Sequence, residues 1–198
     1  MHFADFIKQY DQKNCIILLE GKRKVLPGDE PLLIALAEKL ASNMKHARFR
    51  SGNASGSDEL FAQGVSKVDA SRMEVILPYS GHRRQKSLGY LTHSLDDLDL
   101  AAEPEVTYHT RSNRRNVKLI DDFVDGINNH VTIKAAYLLR DTIKVIGTMS
   151  GIPKADFAIF YDDLKNPGSG GTGHTMMVCK NNHVPFVNQT IWVEWLKS

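Results

Sequence analysis

Residues 155–161 read ADFAIFY, and a glycine-rich turn, PGSGGTGHT, follows at 167–175. An earlier glycine-rich turn, RSGNASGSD at 50–58, follows a shorter apolar run. Each turn precedes a stretch with helical character. A turn of this kind leaves backbone N–H groups unpaired at a helix N-terminus, where these groups and the helix dipole attract anions. We therefore expect the two turns to share one site for a phosphorylated ligand.

Short apolar runs recur along the rest of the chain and alternate with helical stretches. The runs that predict strands lie at 14–19, 47–50, 73–77, 155–161 and 185–188. Continuous apolar runs of this length are typical of strands buried on both faces of a parallel sheet. We expect an α/β fold, a Rossmann-like three-layer sandwich whose mostly parallel sheet of about five or more strands carries helices on both faces. Ligands of such sheets bind beyond the carboxyl ends of the strands, where both glycine turns should lie.

The length of 198 residues predicts a single domain over 1–198. The alternating pattern breaks down between Tyr79 and Asn116, where acidic and basic clusters replace it. We expect this stretch, 79–116, to be an irregular insertion that is either functional or mobile.

Bulk properties exclude several classes of protein. The net charge of +2 gives no broad attraction to nucleic acids or membranes. No apolar run has the length of a membrane span, and the N-terminus lacks the layout of a signal peptide, so we expect a cytoplasmic protein without a membrane partner. Cys179 and His183 have no second ligand pair beside them, and no zinc site is expected.

Polar side chains near the two turns are the candidate ligand contacts. Arginine matches phosphate oxygens with its planar guanidinium, which favours Arg50 beside the early turn and Arg140 in an apolar helix. A structural ion pair with a neighbouring acid is the alternative for Arg140. Asp58 or Asn53 would contact a ribose or a base. The full predicted ligand-binding set is Arg50, Ser51, Gly52, Asn53, Asp58, Arg140, Ser169, Gly170, Gly171, Thr172, Gly173, His174 and Thr175.

The sequence matches the standard cofactor-binding motifs poorly. Gly168, Gly170 and Gly173 form a G-x-G-x-x-G pattern, but the short remainder of the chain lacks the second half of a dinucleotide-binding domain. There is no Walker-type G-x-x-x-x-G-K-[ST] loop. We therefore expect no bound cofactor, and no catalytic residue is assigned.

The two turns, in this order, resemble the SLOG superfamily of Rossmann-like domains, which includes the "lonely guy" cytokinin-activating hydrolases and DNA-processing protein A. SGNASGSD at 51–58 is similar to the SGxAxGxD segment of the latter, and GGTGHT at 170–175 is similar to the phosphate loop of the superfamily. Arg140-Asp141 stands where related sequences carry Arg-Asn, and Asn188 ends a segment like IPVxN. The resemblance spans about residues 16–188.

The resemblance implies a nucleotide or nucleotide-derived ligand and, by analogy, a homodimer. It also implies two alternatives, which are hydrolysis of the N-glycosidic bond of a nucleotide and binding of single-stranded DNA. The hydrolases carry a catalytic glutamate after the phosphate loop, and that place falls at Met177 here, which cannot transfer protons. A carboxylate such as Asp58 or Asp156 would have to replace it.

Overall fold

A computed structural model describes residues 1–127, 129 and 131–197. Six parallel strands form one central sheet in the order β4-β3-β2-β1-β5-β6. The strands are β1 Ile16–Gly21, β2 Arg48–Ser51, β3 Met73–Leu77, β4 Leu91–Ser94, β5 Phe157–Tyr161 and β6 Phe186–Asn188. The helices are α1 Phe3–Tyr10, α2 Glu30–Asn43, α3 Ser57–Asp69, α4 Pro104–Arg111, α5 Val117–Val124, α6 Ile133–Ile146, α7 Gly170–Asn181 and α8 Gln189–Trp195.

Both faces of the sheet are covered, as the apolar runs predict. Ile17 and Leu19 of β1 pack into a core shared with α1, α2, α3 and α8. Ile16 and Leu18, which point the other way along the same strand, pack against α6 and α7. The predicted fold class, a Rossmann-like α/β sandwich with helices on both faces, is confirmed.

The order of the strands creates a topological switch point between β1 and β5. The chain builds outward from β1 through β2 and β3 to β4, then returns to place β5 and β6 on the other side of β1. Connections on the two sides of such a point diverge, and a crevice opens at the carboxyl ends of the strands. The two glycine turns leave β2 and β5 at this edge.

The stretch 79–116, expected to be irregular, contributes the edge strand β4 and the helix α4. Strand β4 reads LTHS and buries only Ser94, so it lacks an apolar run. Helix α4 buries Val106 and two threonines, which do not form an apolar stripe. Both elements therefore give little periodic signal, and α1 at the N-terminus was likewise not predicted.

Within the described ranges, none of the helices combines the length and the apolar character that a membrane crossing requires.

Candidate functional site

A cleft of about 540 Å³ opens at the switch point. Its walls come from the carboxyl ends of β1 and β5, the N-terminal ends of α3 and α7, and one face of α6. Ala54 and Asp58 of the early turn and Ser169 to Thr172 of the late turn line this one cleft. The structure thus brings both glycine turns together at the edge where the sequence places them.

The late turn places three backbone N–H groups that lack a partner within helix α7 beside the cleft. Helix α7 begins at Gly170, and its first helical N–H bond runs from Gly173 to the Ser169 carbonyl oxygen at 3.0 Å. The N–H groups of Gly170, Gly171 and Thr172 precede that bond and have no partner within the helix. The Ser169 side chain, at the N-cap position, does not cap them. Three amide donors and the positive end of the helix dipole therefore face the cleft.

Backbone geometry explains the glycines at positions 170 and 173 of this turn. Gly170 has a φ of +64°, which L side chains rarely adopt. A Cβ atom at Gly173 would overlap the backbone of Gly168, because the turn folds back against the first turn of α7. Gly173 therefore shapes the turn without lining the cleft.

The early turn is closed by its own aspartate. The Asp58 carboxylate accepts hydrogen bonds through Oδ2 from the N–H groups of Gly52 (3.0 Å) and Ala54 (3.2 Å). These two amides are therefore occupied and cannot also hold a phosphate. Asn53 has a φ of +53°, and its side-chain Nδ2 donates a hydrogen bond to the His82 carbonyl oxygen at 3.0 Å. Asn53 therefore anchors the neighbouring loop. The early turn forms a wall of the cleft and offers fewer donors than its sequence suggests.

Arg140 packs against the early turn from α6. Its guanidinium donates to the Gly52 carbonyl oxygen, and a Cβ at Gly52 would overlap that guanidinium. Arg140 also forms an ion pair with Asp141 at 2.9 Å. Burial acts to lower the pKa of Arg140, but the charges of Asp141 and Asp58 outweigh it and raise the pKa. The ion pair with a neighbouring acid is present, and Arg140 also lines the cleft, so its contact with a ligand phosphate stays a prediction.

Five charged side chains form the floor of the cleft, and each is at least 96% buried: Glu20, Asp58, Arg140, Asp141 and Lys144. Lys144 Nζ bridges Glu20 Oε2 (2.7 Å) and Asp141 Oδ1 (2.8 Å). The Thr175 hydroxyl donates to Glu20 Oε1 at 2.9 Å. We call this group the floor cluster.

Burial raises the pKa of Glu20 to about 7, although the nearby Lys144 acts against the rise. Burial would also raise the pKa of Asp141, but Arg140 and Lys144 outweigh it and lower that pKa. The floor cluster therefore holds one carboxyl group that can gain or lose a proton near neutral pH. Sequence reasoning missed Glu20, whose only signal was an acid at the end of an apolar run.

Several predicted ligand contacts do not reach the cleft. Arg50 is fully buried beneath the sheet edge, where Nε pairs with Glu74 at 2.8 Å and Nη1 donates to the Lys144 and Pro153 carbonyl oxygens. Burial lowers the pKa of Arg50, with Glu74 opposing the change. Arg50 thus ties strands together and does not line the cleft.

His174 and Asp156 lie outside the cleft as well. His174 is buried with Nε2 3.1 Å from the Thr142 hydroxyl, and burial lowers its pKa, which keeps the imidazole neutral. Asp156 accepts a hydrogen bond from the Ile16 N–H at the amino end of β1, on the opposite edge of the sheet. Of the predicted set, the residues that line the cleft are Asp58, Arg140, Ser169, Gly170, Gly171 and Thr172, and those that do not are Arg50, Ser51, Gly52, Asn53, Gly173, His174 and Thr175.

The rim of the cleft carries exposed or half-buried cations and one aromatic ring. Lys22, Arg23 and Lys134 line the rim together with Asp162 and Asp163. The Cζ atoms of Arg23 and Arg140 each lie 5.6 Å from the centroid of the Tyr137 ring. Across the part of the chain that the structure covers, no group of three or more His, Cys, Asp or Glu side chains has a metal-binding arrangement.

No protein-family model and no curated protein matches the sequence. Among solved structures, the chain is similar to DNA processing protein A from Helicobacter pylori, which binds single-stranded DNA. The two chains share 18% identity, the alignment covers 91% of this chain and 67% of that chain, and the TM-score is 0.49. The function of this chain has to be inferred from its own cleft.

Proposed function

We propose that the cleft binds a nucleotide or nucleotide-derived phosphorylated ligand, with its phosphate on the N–H groups of Gly170, Gly171 and Thr172. The observation that carries this proposal is the uncapped start of α7, which opens into a cleft at the switch point. Phosphate is the anion that helix N-termini of this kind accommodate in α/β folds.

The rim supplies what the rest of such a ligand needs. Lys22, Arg23 and Lys134 are not neutralised as tightly as the buried cations of the floor, so they can attract and hold further negative charge. Tyr137 adds apolar surface to the lining of the cleft, which a base can contact. Membership of the SLOG superfamily and a homodimeric state are parts of the same proposal and come from the sequence resemblance. A cytoplasmic location is proposed with them from the sequence pattern alone.

A panel of nucleoside monophosphates and diphosphates, measured by thermal shift and calorimetry, tests the proposal. Gly171→Val is the diagnostic variant, because Gly171 lines the cleft at the proposed phosphate position and an added Cβ already lies 3.3 Å from Asp141 Oδ2. Gly28→Val is the matched control, since its added side chain meets open space away from the cleft.

The proposal predicts that the wild type and Gly28→Val bind at least one nucleotide and that folded Gly171→Val does not. Equal affinity in all three proteins would refute the placement of the phosphate. Salt-dependent binding of an oligonucleotide, with no nucleotide binding, would instead support the single-stranded DNA alternative.

A second candidate function, cleavage of an N-glycosidic bond of the nucleotide, is favoured by Glu20. A buried carboxyl with a pKa of about 7 can donate a proton to a leaving base, the role that Met177 cannot fill. Incubation with nucleoside monophosphates, followed by chromatography for free base, tests this activity. Release of base by the wild type but not by Glu20→Gln would support it, and no release by the wild type would remove it.

A further inference from the structure

We infer that anion binding at the start of α7 is coupled to the uptake of one proton by Glu20. This inference rests on the proposed phosphate site and adds a mode of regulation to it. Ligand affinity should then fall as the pH rises through the neutral range, and the bound state should hold Glu20 as a neutral acid.

The first contribution to this coupling is position. Thr175 lies in α7, and its hydroxyl is 2.9 Å from Glu20 Oε1 and 3.1 Å from the Gly171 carbonyl oxygen. The Asp141 carboxylate approaches the same helical turn, since its Oδ2 lies 3.3 Å from where a Cβ of residue 171 would be. Glu20 and Asp141 therefore lie close to the amides that would receive the phosphate.

The second contribution is charge. The floor cluster contains three carboxyl groups, those of Glu20, Asp58 and Asp141, against two cations, Arg140 and Lys144. When all three carboxyl groups are ionised, the cluster carries one uncompensated negative charge in a desolvated region. An incoming phosphate or sulfate would add more negative charge at short range, where repulsion is screened little. Protonation of one carboxyl group balances the cluster and removes most of that repulsion.

Glu20 is the carboxyl group best suited to take the proton. Asp141 is paired with both Arg140 and Lys144, which lower its pKa. Asp58 already accepts the backbone N–H groups of Gly52 and Ala54 and closes its own turn with them. Glu20 shares Lys144 with Asp141 and has a pKa already raised to about 7 by burial.

Two titratable side chains of α7 have pKa values that burial shifts away from the neutral range. Burial raises the pKa of Cys179 on α7 to about 12, and burial lowers that of His174 on the same helix. The charged or titratable groups that act on Glu20 are Arg140, Asp141 and Lys144 on α6, Asp58 on α3 and Cys179 on α7.

Sulfate is the appropriate probe, because a phosphate group has its own second pKa of about 6 and would take up protons itself. Titrations of the wild-type protein in two buffers of different ionisation enthalpy measure the protons taken up per sulfate bound. We expect uptake approaching one proton on the alkaline side of the Glu20 pKa. The affinity should fall there by about tenfold per pH unit, as linkage requires for one proton.

Two variants assign the proton to Glu20. Glu20→Gln should bind sulfate with no proton uptake from this site and with a flat pH profile, and it should bind more tightly than the wild type at alkaline pH. Thr175→Val removes a hydroxyl that stabilises the ionised form of Glu20, so the midpoint of the affinity profile should move to higher pH. A residue with a merely structural role would not move that midpoint.

The outcomes separate the two proposals. No sulfate binding at any pH, together with no nucleotide binding, would refute the phosphate site itself. Sulfate binding by the wild type with no proton uptake and a flat pH profile would leave the phosphate site standing and refute the coupling. Proton uptake that persists unchanged in a folded Glu20→Gln protein would also overturn the assignment to Glu20.

Discussion

Replacing Glu20 with glutamine should change how the stability of the protein depends on pH. Burial raises the pKa of Glu20 from 4.5 to about 7 in the folded state, against the attraction of Lys144. Between these values the native protein holds a proton that the unfolded chain has lost, so the free energy of unfolding falls as the pH rises. The contribution is fully present below about pH 4.5 and is lost as the pH rises through about 7.

The size of the effect follows from the same two values. At about 1.4 kcal/mol per pKa unit, the rise from 4.5 to about 7 corresponds to about 3 kcal/mol lost by the wild type over this range. Glu20→Gln has no such titration, while Asp141 and the other acids are common to both proteins. The stability of the variant relative to the wild type should therefore improve by about 3 kcal/mol between mildly acidic and mildly alkaline pH.

Urea denaturation of both proteins across this pH range measures the difference directly. Glu194→Gln is the matched control, because it removes an exposed carboxylate of α8 that pairs with Lys197. The free energy of unfolding of this variant should depend on pH in nearly the same way as that of the wild type. If the profiles of Glu20→Gln and the wild type also run parallel, Glu20 does not change its protonation on unfolding in this range.

Three further substitutions test how the fold supports the cleft. Arg50→Met removes the buried cation that pairs with Glu74, which keeps His93 as a partner, and should destabilise the protein by about 3 kcal/mol in urea denaturation. Nucleotide affinity in the folded fraction should be unchanged, and lost affinity at full folding would place Arg50 in the site. Gly173→Ala forces a Cβ against the backbone of Gly168, so it should lower the free energy of unfolding by at least about 1 kcal/mol and weaken nucleotide binding. A variant with wild-type stability and affinity would contradict the tight turn. Trp192→Ala removes a fully buried ring and its hydrogen bond to the Phe160 carbonyl oxygen, so it should lower the free energy of unfolding by about 3 kcal/mol or more. A loss of stability well below this value would show that α8 is not part of the core.

The class of fold could be predicted because strands buried on both faces of a sheet have continuous apolar sequences. The apolar run ending at Leu19 packs on both faces of the sheet, which is the arrangement that such runs favour. Strand β4 could not be predicted, because an edge strand that buries only Ser94 needs no apolar run. Its place is set by backbone pairing with β3, which sequence periodicity does not report.

The candidate site could be predicted only in outline, because its details depend on strand register and on contacts between distant segments. Arg50 stands beside the early turn in sequence, yet the register places it opposite Glu74 on β3, and the two side chains pair. Asp58 was expected to face a ligand, and part of its carboxylate instead closes its own turn. Glu20 becomes notable only when α6 brings Lys144 to it.

The most direct measurement is an NMR titration of the ¹⁵N-labelled protein with a nucleotide that binds, following the amide signals of the two glycine turns. We expect large, saturable shifts for the amides of Gly170, Gly171 and Thr172 and much smaller ones for Gly52 and Ala54, whose N–H groups Asp58 already holds. Saturation of the protein without movement of the three α7 amides would contradict the phosphate site proposed at the start of α7.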